Sequence, residues 1–308
     1  MANPIPLSPE QIIVATKMSK LEYDMQRMGL SRREVMTFYK KQSMPESRIQ
    51  GIIDSHSTQK ASIGILKKLI PKAKIISREE VSERILQGRP LVIAFGGDNH
   101  FQYVGHHLDD ELILGINADT GRSIGALLST NMIGFEKYLP DILAGNYQVE
   151  PRTRLQASID GKLFSPLVIS EVAIGEQSNF DMSRHILFYK GESEEQRGSG
   201  LIVATGSGSG MAAWYTGAAE YVFPKGDEFS KSSQEFRFVL RERHLGGNSP
   251  LKYCHGICKG SDSLRLTSLS DSQAVISIDS LAQYHLREGA SVELKIAQGK
   301  PLNTLVIK

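Results

Sequence analysis

Apolar positions in the first 120 residues follow two rhythms. Short unbroken runs, Gln11-Ile12-Ile13-Val14-Ala15-Thr16, Lys74-Ile75-Ile76, Pro90-Leu91-Val92-Ile93-Ala94-Phe95 and Leu112-Ile113-Leu114-Gly115-Ile116-Asn117, have strand length, and the longer ones read as strands covered on both faces. Between them Leu21, Met25 and Met28 recur at helical spacing, as do Ile63, Leu66 and Ile70 within 59–70, which Pro71 closes. The methionine stripe is a packing feature, and Arg32, Arg33, Lys40 and Lys41 mark a solvated helix face. Ser77-Arg78-Glu79-Glu80 fits a capping box ahead of Val81, Ile85 and Leu86, with Gly88 placed to end that helix. A segment from Asp98 to Leu108 can be helical. Strand, helix, strand at these lengths predicts a Rossmann-like βαβ unit, right-handed, with ligands bound at the carboxyl ends of its strands.

Past residue 122 the rhythm changes. Leu139 to Leu143 closes one more helix, and from Arg154 short alternating strands separated by turns take over. They include Leu155–Ile159, Leu167–Ile169, Ile186–Tyr189, Leu201–Ala204, Phe236–Leu240, Ala274–Ile278 and Val292–Ile296. The expected fold is an α/β nucleotide-binding domain over 1–122 followed by an all-β sandwich over 123–296. The tail 297–308 returns to the first domain, because Leu305-Val306-Ile307 would otherwise be an exposed apolar end.

A chain of 308 residues accommodates two domains. Lys+Arg 36 against Asp+Glu 34 leaves a formal charge of +2 with no long basic block, which argues against an extended nucleic-acid footprint. No run approaches a membrane span, and the start resembles neither a signal nor a transit peptide, so a cytoplasmic protein is expected. Cys254 and Cys258 form a lone C-x3-C, either half of a metal site or two reduced thiols; without a second pair no metal site is assigned.

Two stretches could carry chemistry. Gly96-Gly97-Asp98-Asn99 follows the central strand: the glycines allow close backbone approach, the next helix points its positive end at the turn, and Asp98 adds a carboxylate. The same residues also suit an ordinary strand-to-helix turn with Asp98 as N-cap. Thr205-Gly206-Ser207-Gly208-Ser209 follows a strand and precedes a helical stretch with Met211 and Trp214. Its bare N–H groups and small hydroxyls suit a phosphate or ribose, or it is a flexible turn. It is neither a Walker loop nor the usual dinucleotide fingerprint. His100, His106 and His107 read as solvated helix positions.

Taken in order, these pieces resemble the NAD kinase family, and its mitochondrial-type branch in particular. Gly96-Gly97-Asp98 is similar to the family's Gly-Gly-Asp-Gly motif, with Asn99 in place of the last glycine. Gly115-Ile116-Asn117-Ala118-Asp119-Thr120-Gly121-Arg122-Ser123 resembles the branch's Gly-Val-Asn-Thr-Asp segment with its downstream Arg-Ser. Ser170-Glu171-Val172-Ala173-Ile174-Gly175-Glu176 resembles Asn-Glu-Val-x-Ile-Gly-Glu, with Ser170 for asparagine, and Thr205 to Ser209 resembles Thr-Gly-Thr-Gly-Ser.

The resemblance implies transfer of the γ-phosphoryl group of ATP to the adenosine 2′-hydroxyl of NAD, with Mg²⁺, in a homodimer or homotetramer. Asp98 would be the base. Gly96, Gly97, Asn99, Asn117, Asp119, Arg122, Ser170, Glu171, Thr205, Gly206, Ser207, Gly208, Ser209 and Asp279 would bind the nucleotides. On this reading a side chain at Gly208 meets the ligand while the fold survives. Asn99 and Ser170 also admit a silent relative that binds NAD(H) without phosphorylating it. Lipid kinases share a Gly-Gly-Asp-Gly loop but not the Thr205 loop or Glu171.

Overall fold

The computed structural model describes residues 5–178, 180–211, 214, 222–223, 227–244 and 251–307. It divides into two compact units, Met1–Val149 with Thr304–Lys308, and Glu150–Asn303. In chain order the first contains β1 (Ile12–Thr16), α1 (Lys20–Met28), α2 (Arg32–Lys41), α3 (Glu46–Leu69), β2 (Lys74–Ser77), α4 (Glu83–Leu86), β3 (Leu91–Gly96), α5 (Asp98–Gly105), β4 (Leu112–Asn117), β5 (Thr130–Asn131) and α6 (Met132–Ala144), and β6 (Gln148–Arg152) leads out of it. Strands dominate the second: β7 (Leu155–Ile159), β8 (Lys162–Leu163), β9 (Glu171–Glu176), β10 (Ser183–Tyr189), β11 (Glu192–Gly198), β12 (Leu201–Ala204), β13 (Glu235–Leu240), β14 (His255–Lys259), β15 (Ser263–Ser268), β16 (Ala274–Ile278), β17 (Ala282–Leu286) and β18 (Ser291–Ile296). β19 (Leu302–Val306) brings the chain back.

The first sheet runs β2-β1-β3-β4-β19-β6, with β5 beside β4. β1 pairs in parallel with β2 on one side and β3 on the other, and β4 continues from β3. The direction of winding therefore reverses between β1 and β3, the place where open α/β sheets leave a crevice at their carboxyl edge. Every residue of β3 and β4 is buried, which is why neither shows polar alternation. Ile12, Val14, Ile93, Phe95, Leu114 and Ile116 share one core with Leu66, Phe135, Ile142 and Leu305.

Local chemistry sets the helix ends. Ser19 with Glu22 and Ser31 with Glu34 form capping boxes for α1 and α2, and Gly29 closes α1 at φ +64°, where a side chain would be strained. Leu21, Val35, Tyr39, Ile49 and Ile52 make a small separate core joined by Met25, so Leu21 and Met25 of the expected stripe pack there.

Several expectations shift. α3 starts at Glu46, not near Gln59: its first half carries the weak helix formers Asp54-Ser55-His56-Ser57-Thr58 but buries Ile49 and Ile52 in the small core. Ser77 and Glu80 do form their box, yet it closes only a single 3₁₀ turn. The first unit continues to Val149, beyond residue 122, because β5 extends the parallel sheet and α6 packs Phe135, Leu139 and Ile142 on it. The tail joins it from Thr304, which pairs in parallel with Ile113; Lys308 lies outside the described residues, as does most of the stretch expected to be helical after Ser209.

In the second unit two six-stranded sheets, β11-β10-β15-β18-β7-β8 and β14-β13-β12-β9-β16-β17, share a core. Leu155, Leu187, Leu264 and Val292 come from the first, and Val172, Val203, Phe236 and Ile276 from the second. Leu167–Ile169 is no strand: Val168 makes one bridge to Leu155, and the Ile169 N–H turns to the Asp279 carboxylate.

Candidate functional site

At the carboxyl edge of the first sheet each central strand delivers a polar residue. Lys17 follows β1, Gly97 and Asp98 follow β3, and Asp119 comes two residues after β4. A cleft of about 440 Å³ opens there, lined among others by Lys17, Arg48, Gly97, Asp119, Arg122 and Ser123. Lys17 is half-buried, and burial together with the Arg78 guanidinium pulls its ammonium pKa below the ordinary value, while Asp119 and Asp98 oppose this. Lys17 escaped the sequence reading, although a basic residue directly after the first strand of such a sheet is a usable signal.

The two glycines of the turn serve different ends. A Cβ at Gly96 would sit 3.0–3.2 Å from the His100 side chain. His100 is fully buried, its Nε2 lies 2.9 Å from the Ala15 carbonyl, and burial lowers its pKa to about 4, so it is a neutral tie between α5 and β1 and not a solvated residue. Gly97 faces the cleft, where a Cβ would come to 3.1 Å from Ser123 Oγ and 3.7 Å from Lys17 Nζ. Gly97, not Asp98, is the N-cap of α5. The Asp98 carboxylate instead accepts from Leu127 N–H at 2.8 Å and Ala126 N–H at 3.1 Å. Asn99 is helical and exposed, and its Oδ1 accepts from Arg78 Nη1 at 3.2 Å, with the Arg78 guanidinium over the Tyr103 ring.

The segment after β4 is tied to itself and to α3. Asn117 Nδ2 donates to the Ser123 carbonyl at 2.9 Å, and its Oδ1 accepts from Asp119 N–H at 3.0 Å. Asp119 accepts from the Ser55 hydroxyl, and the Arg122 guanidinium lies where a side chain on Gly51 would be. Asn117 therefore shapes the loop, and it lines the cleft together with Asp119 and Arg122.

In the second unit Asp279 is a scaffold. At φ +50° it turns its carboxylate to accept from Ile169, Ser170 and Glu171 N–H at 2.8–3.0 Å. Thr205 Oγ1 donates to the Ile169 carbonyl at 2.7 Å and accepts from Ser207 N–H at 3.1 Å, and Ser209 Oγ donates to the Gly206 carbonyl at 2.9 Å. A Cβ at Gly206 would lie 2.1 Å from the Ser230 carbonyl oxygen, and one at Gly208 would lie 2.2 Å from that of Ser170. Both glycines are therefore dictated by neighbouring backbone, and the expectation that a Gly208 side chain would spare the fold is corrected.

What this frame leaves over is informative: Ser170 Oγ, Glu171 Oε2 and Ser207 Oγ are buried with no hydrogen-bond partner among the described residues. Buried polar atoms without partners are costly, and three on adjoining segments suit a polar ligand group. Burial, reinforced by the Asp279 carboxylate, pushes the Glu171 pKa up to about 8 from 4.5. The folded chain thus holds a proton that the unfolded chain releases in this interval, so stability falls as pH rises from 4.5 through about 8 and the loss is complete above it. Glu171→Gln should accordingly melt about 3 °C or more above the parent near pH ~9, with the gap closing by pH ~5. Thermal scans at both pH values check this; a gap independent of pH would contradict it.

The remaining candidates are structural. Cys258 is buried in the sandwich core, where burial raises its thiol to about 12, and Cys254 is half-buried; both are free thiols. Among the described residues no three His, Cys, Asp or Glu side chains group as metal ligands.

No family model matches the chain. It is 31% identical over 123 residues to an NAD kinase of Ralstonia nicotianae, covering 39% of this chain and 40% of that protein. Against an NAD kinase of Cupriavidus pinatubonensis it is 27% identical over 132 residues, covering 42% and 43%. The chain thus spans about two fifths of the length of the curated relatives it matches. The structure of a yeast NADH kinase complexed with NADH superimposes with a TM-score of 0.69 at 14% identity, covering 99% of this chain and 84% of that one. That of an Archaeoglobus fulgidus NAD kinase in complex with ATP gives 0.61 at 16% identity, covering 96% and 93%. The fold, a parallel α/β unit and an antiparallel β unit, is that of these kinases.

Proposed function

We propose that this chain is an NAD kinase, of the mitochondrial-type branch, that moves the γ-phosphoryl group of ATP to the 2′-hydroxyl of the adenosine ribose of NAD. The observation that carries the reading is the Gly97-Asp98 turn at the carboxyl edge beside Lys17, at the reversal point of the parallel sheet. In the reaction the ribose oxygen bonds to phosphorus, the bond from phosphorus to the ADP oxygen breaks, and the hydroxyl proton passes to Asp98. A ribose hydroxyl is a poor nucleophile, so a carboxylate that orients it and takes its proton as the bond forms is the chemistry required. Lys17 would offset phosphate charge near Gly97.

One or two carboxylates of this chain would suffice to hold a nucleotide-borne Mg²⁺. Asp119 is the carboxylate that lines the cleft and would hold the ion, which would supply charge neutralisation on the phosphates. Ser170 Oγ, Glu171 Oε2 and Ser207 Oγ, without a partner among the described residues, would hold polar groups of the dinucleotide, on the frame built by Thr205, Gly206, Gly208, Ser209 and Asp279.

Lys17→Met should raise the KM for ATP about tenfold or more, the worth of one charge-assisted contact, while the KM for NAD stays near the parent. Steady-state kinetics with each substrate varied tests it, and an unchanged KM for ATP would remove Lys17 from the site.

Asn99 favours a second reading. Its side chain, bonded to Arg78, occupies the start of α5 where the family's glycine leaves none, which suits a protein that binds NAD(H) without phosphorylating it. A coupled assay for NADP and NADPH with ATP, Mg²⁺ and either NAD or NADH separates the two: product formation supports the kinase, and calorimetric NAD binding without product supports the silent binder.

A further inference from the structure

The Asp98 carboxylate bridges two consecutive backbone amides, those of Ala126 and Leu127. Gly125, at φ +69°, turns the chain immediately before these two amides. A side chain there would be strained by the left-handed backbone. It would also be crowded, with its Cβ 2.8 Å from Asn117 Nδ2 and 3.2 Å from Leu128 Cδ1. The turn is anchored on both sides. Downstream, Leu128 N–H donates to the Gly125 carbonyl at 3.1 Å and Ser129 N–H to the Gly115 carbonyl of β4 at 3.0 Å, with Leu127 fully buried between them. Upstream, Asn117 holds Ser123 and Asp119.

We infer that the Gly125–Leu127 turn is a positioning device for Asp98, with Gly125 the positioning residue that brings both amides to the carboxylate and sets the plane in which it meets a hydroxyl. This rests on the reading of Asp98 as the base. A carboxylate has about four lone-pair sites; the two amides engage one on each oxygen and leave the others for a substrate proton. An unclamped aspartate side chain rotates about two torsions, and misplacement of a reacting group by about 1 Å costs up to ~10²-fold in rate.

Gly125→Ala adds one methyl group, 2.8 Å from Asn117 Nδ2 and 3.2 Å from Leu128 Cδ1; it should lower kcat about tenfold or more with the KM values for NAD and ATP within about threefold of the parent. In the Asp98→Asn background the same substitution should cost nothing further, since the group it positions is gone. An ester in place of the Leu127 backbone amide deletes one donor without changing a side chain; it should lower kcat in the same way and guards against a folding defect in Gly125→Ala. An equal loss of kcat in both backgrounds, or an unaffected kcat in the folded ester variant, overturns the inference.

Amide exchange gives a readout free of turnover: the Ala126 and Leu127 amides should be protected in the parent and exchange faster in Asp98→Asn. Unprotected amides in a parent that makes NADP overturn the clamp alone. Protected amides in a parent that makes no NADP overturn the kinase reading and with it the positioning role.

Discussion

Asp98→Asn should lower NADP formation by about 10²–10⁴-fold, the usual worth of a general base, and should also lower the melting temperature. If Asp98 were a helix cap, asparagine would replace it almost without cost, but the cap is Gly97 and the carboxylate spans two amides. Asparagine has one acceptor oxygen, and its NH₂ group would face the second backbone N–H as donor against donor. A buried or half-buried donor left unpaired costs about 1–3 kcal/mol, which for a chain of two such units is a few degrees in Tm. The rate loss should greatly exceed what the small Tm change explains, and the KM for NAD should move far less than kcat. Near-parental turnover in a folded Asp98→Asn protein would remove the base from the mechanism.

Gly208→Val should destabilise the second unit by about 3 kcal/mol or more, with a Tm drop of roughly 6–12 °C. The reason is a side chain meeting backbone: the Cβ would lie 2.2 Å from the Ser170 carbonyl oxygen, where Thr205 Oγ1 already donates to that carbonyl and accepts from Gly208 N–H, each at 3.3 Å. Neither partner is the free end of a flexible side chain, so the strain cannot be relieved by a rotamer change. A Gly208→Val protein that melts with the parent but binds NAD weakly would show instead that the glycine makes room for a ligand.

These two residues show what was legible in the sequence. The buried parallel strands were readable because β3 and β4 are apolar throughout, and the sandwich because its strands alternate. The extent of the first unit was not, because β5 has two residues and its contribution is made by pairing with β4, not by composition. Gly96, Gly97, Gly206 and Gly208 look alike in a motif, yet Gly206 and Gly208 are set by neighbouring backbone, Gly96 by the His100 side chain, and both Gly96 and Gly97 line the cleft. Long-range hydrogen bonds decide such roles, and no local pattern encodes them. Asp279 stands apart for the same reason: its partners lie more than a hundred residues earlier. Lys17 was signalled only by its place directly after the first strand, and the strand order, with β1 beside β3 at the reversal point, shows why that place matters.

The central claim is phosphoryl transfer to a ribose hydroxyl, and phosphorus NMR of a reaction containing the protein, ATP, Mg²⁺ and NAD tests it most directly. The account predicts that ADP and a new phosphomonoester at the adenosine 2′ position appear in equal amounts and that both vanish with Asp98→Asn. ATP left intact in the presence of bound NAD, or ADP and inorganic phosphate formed with no phosphomonoester on NAD, would contradict it.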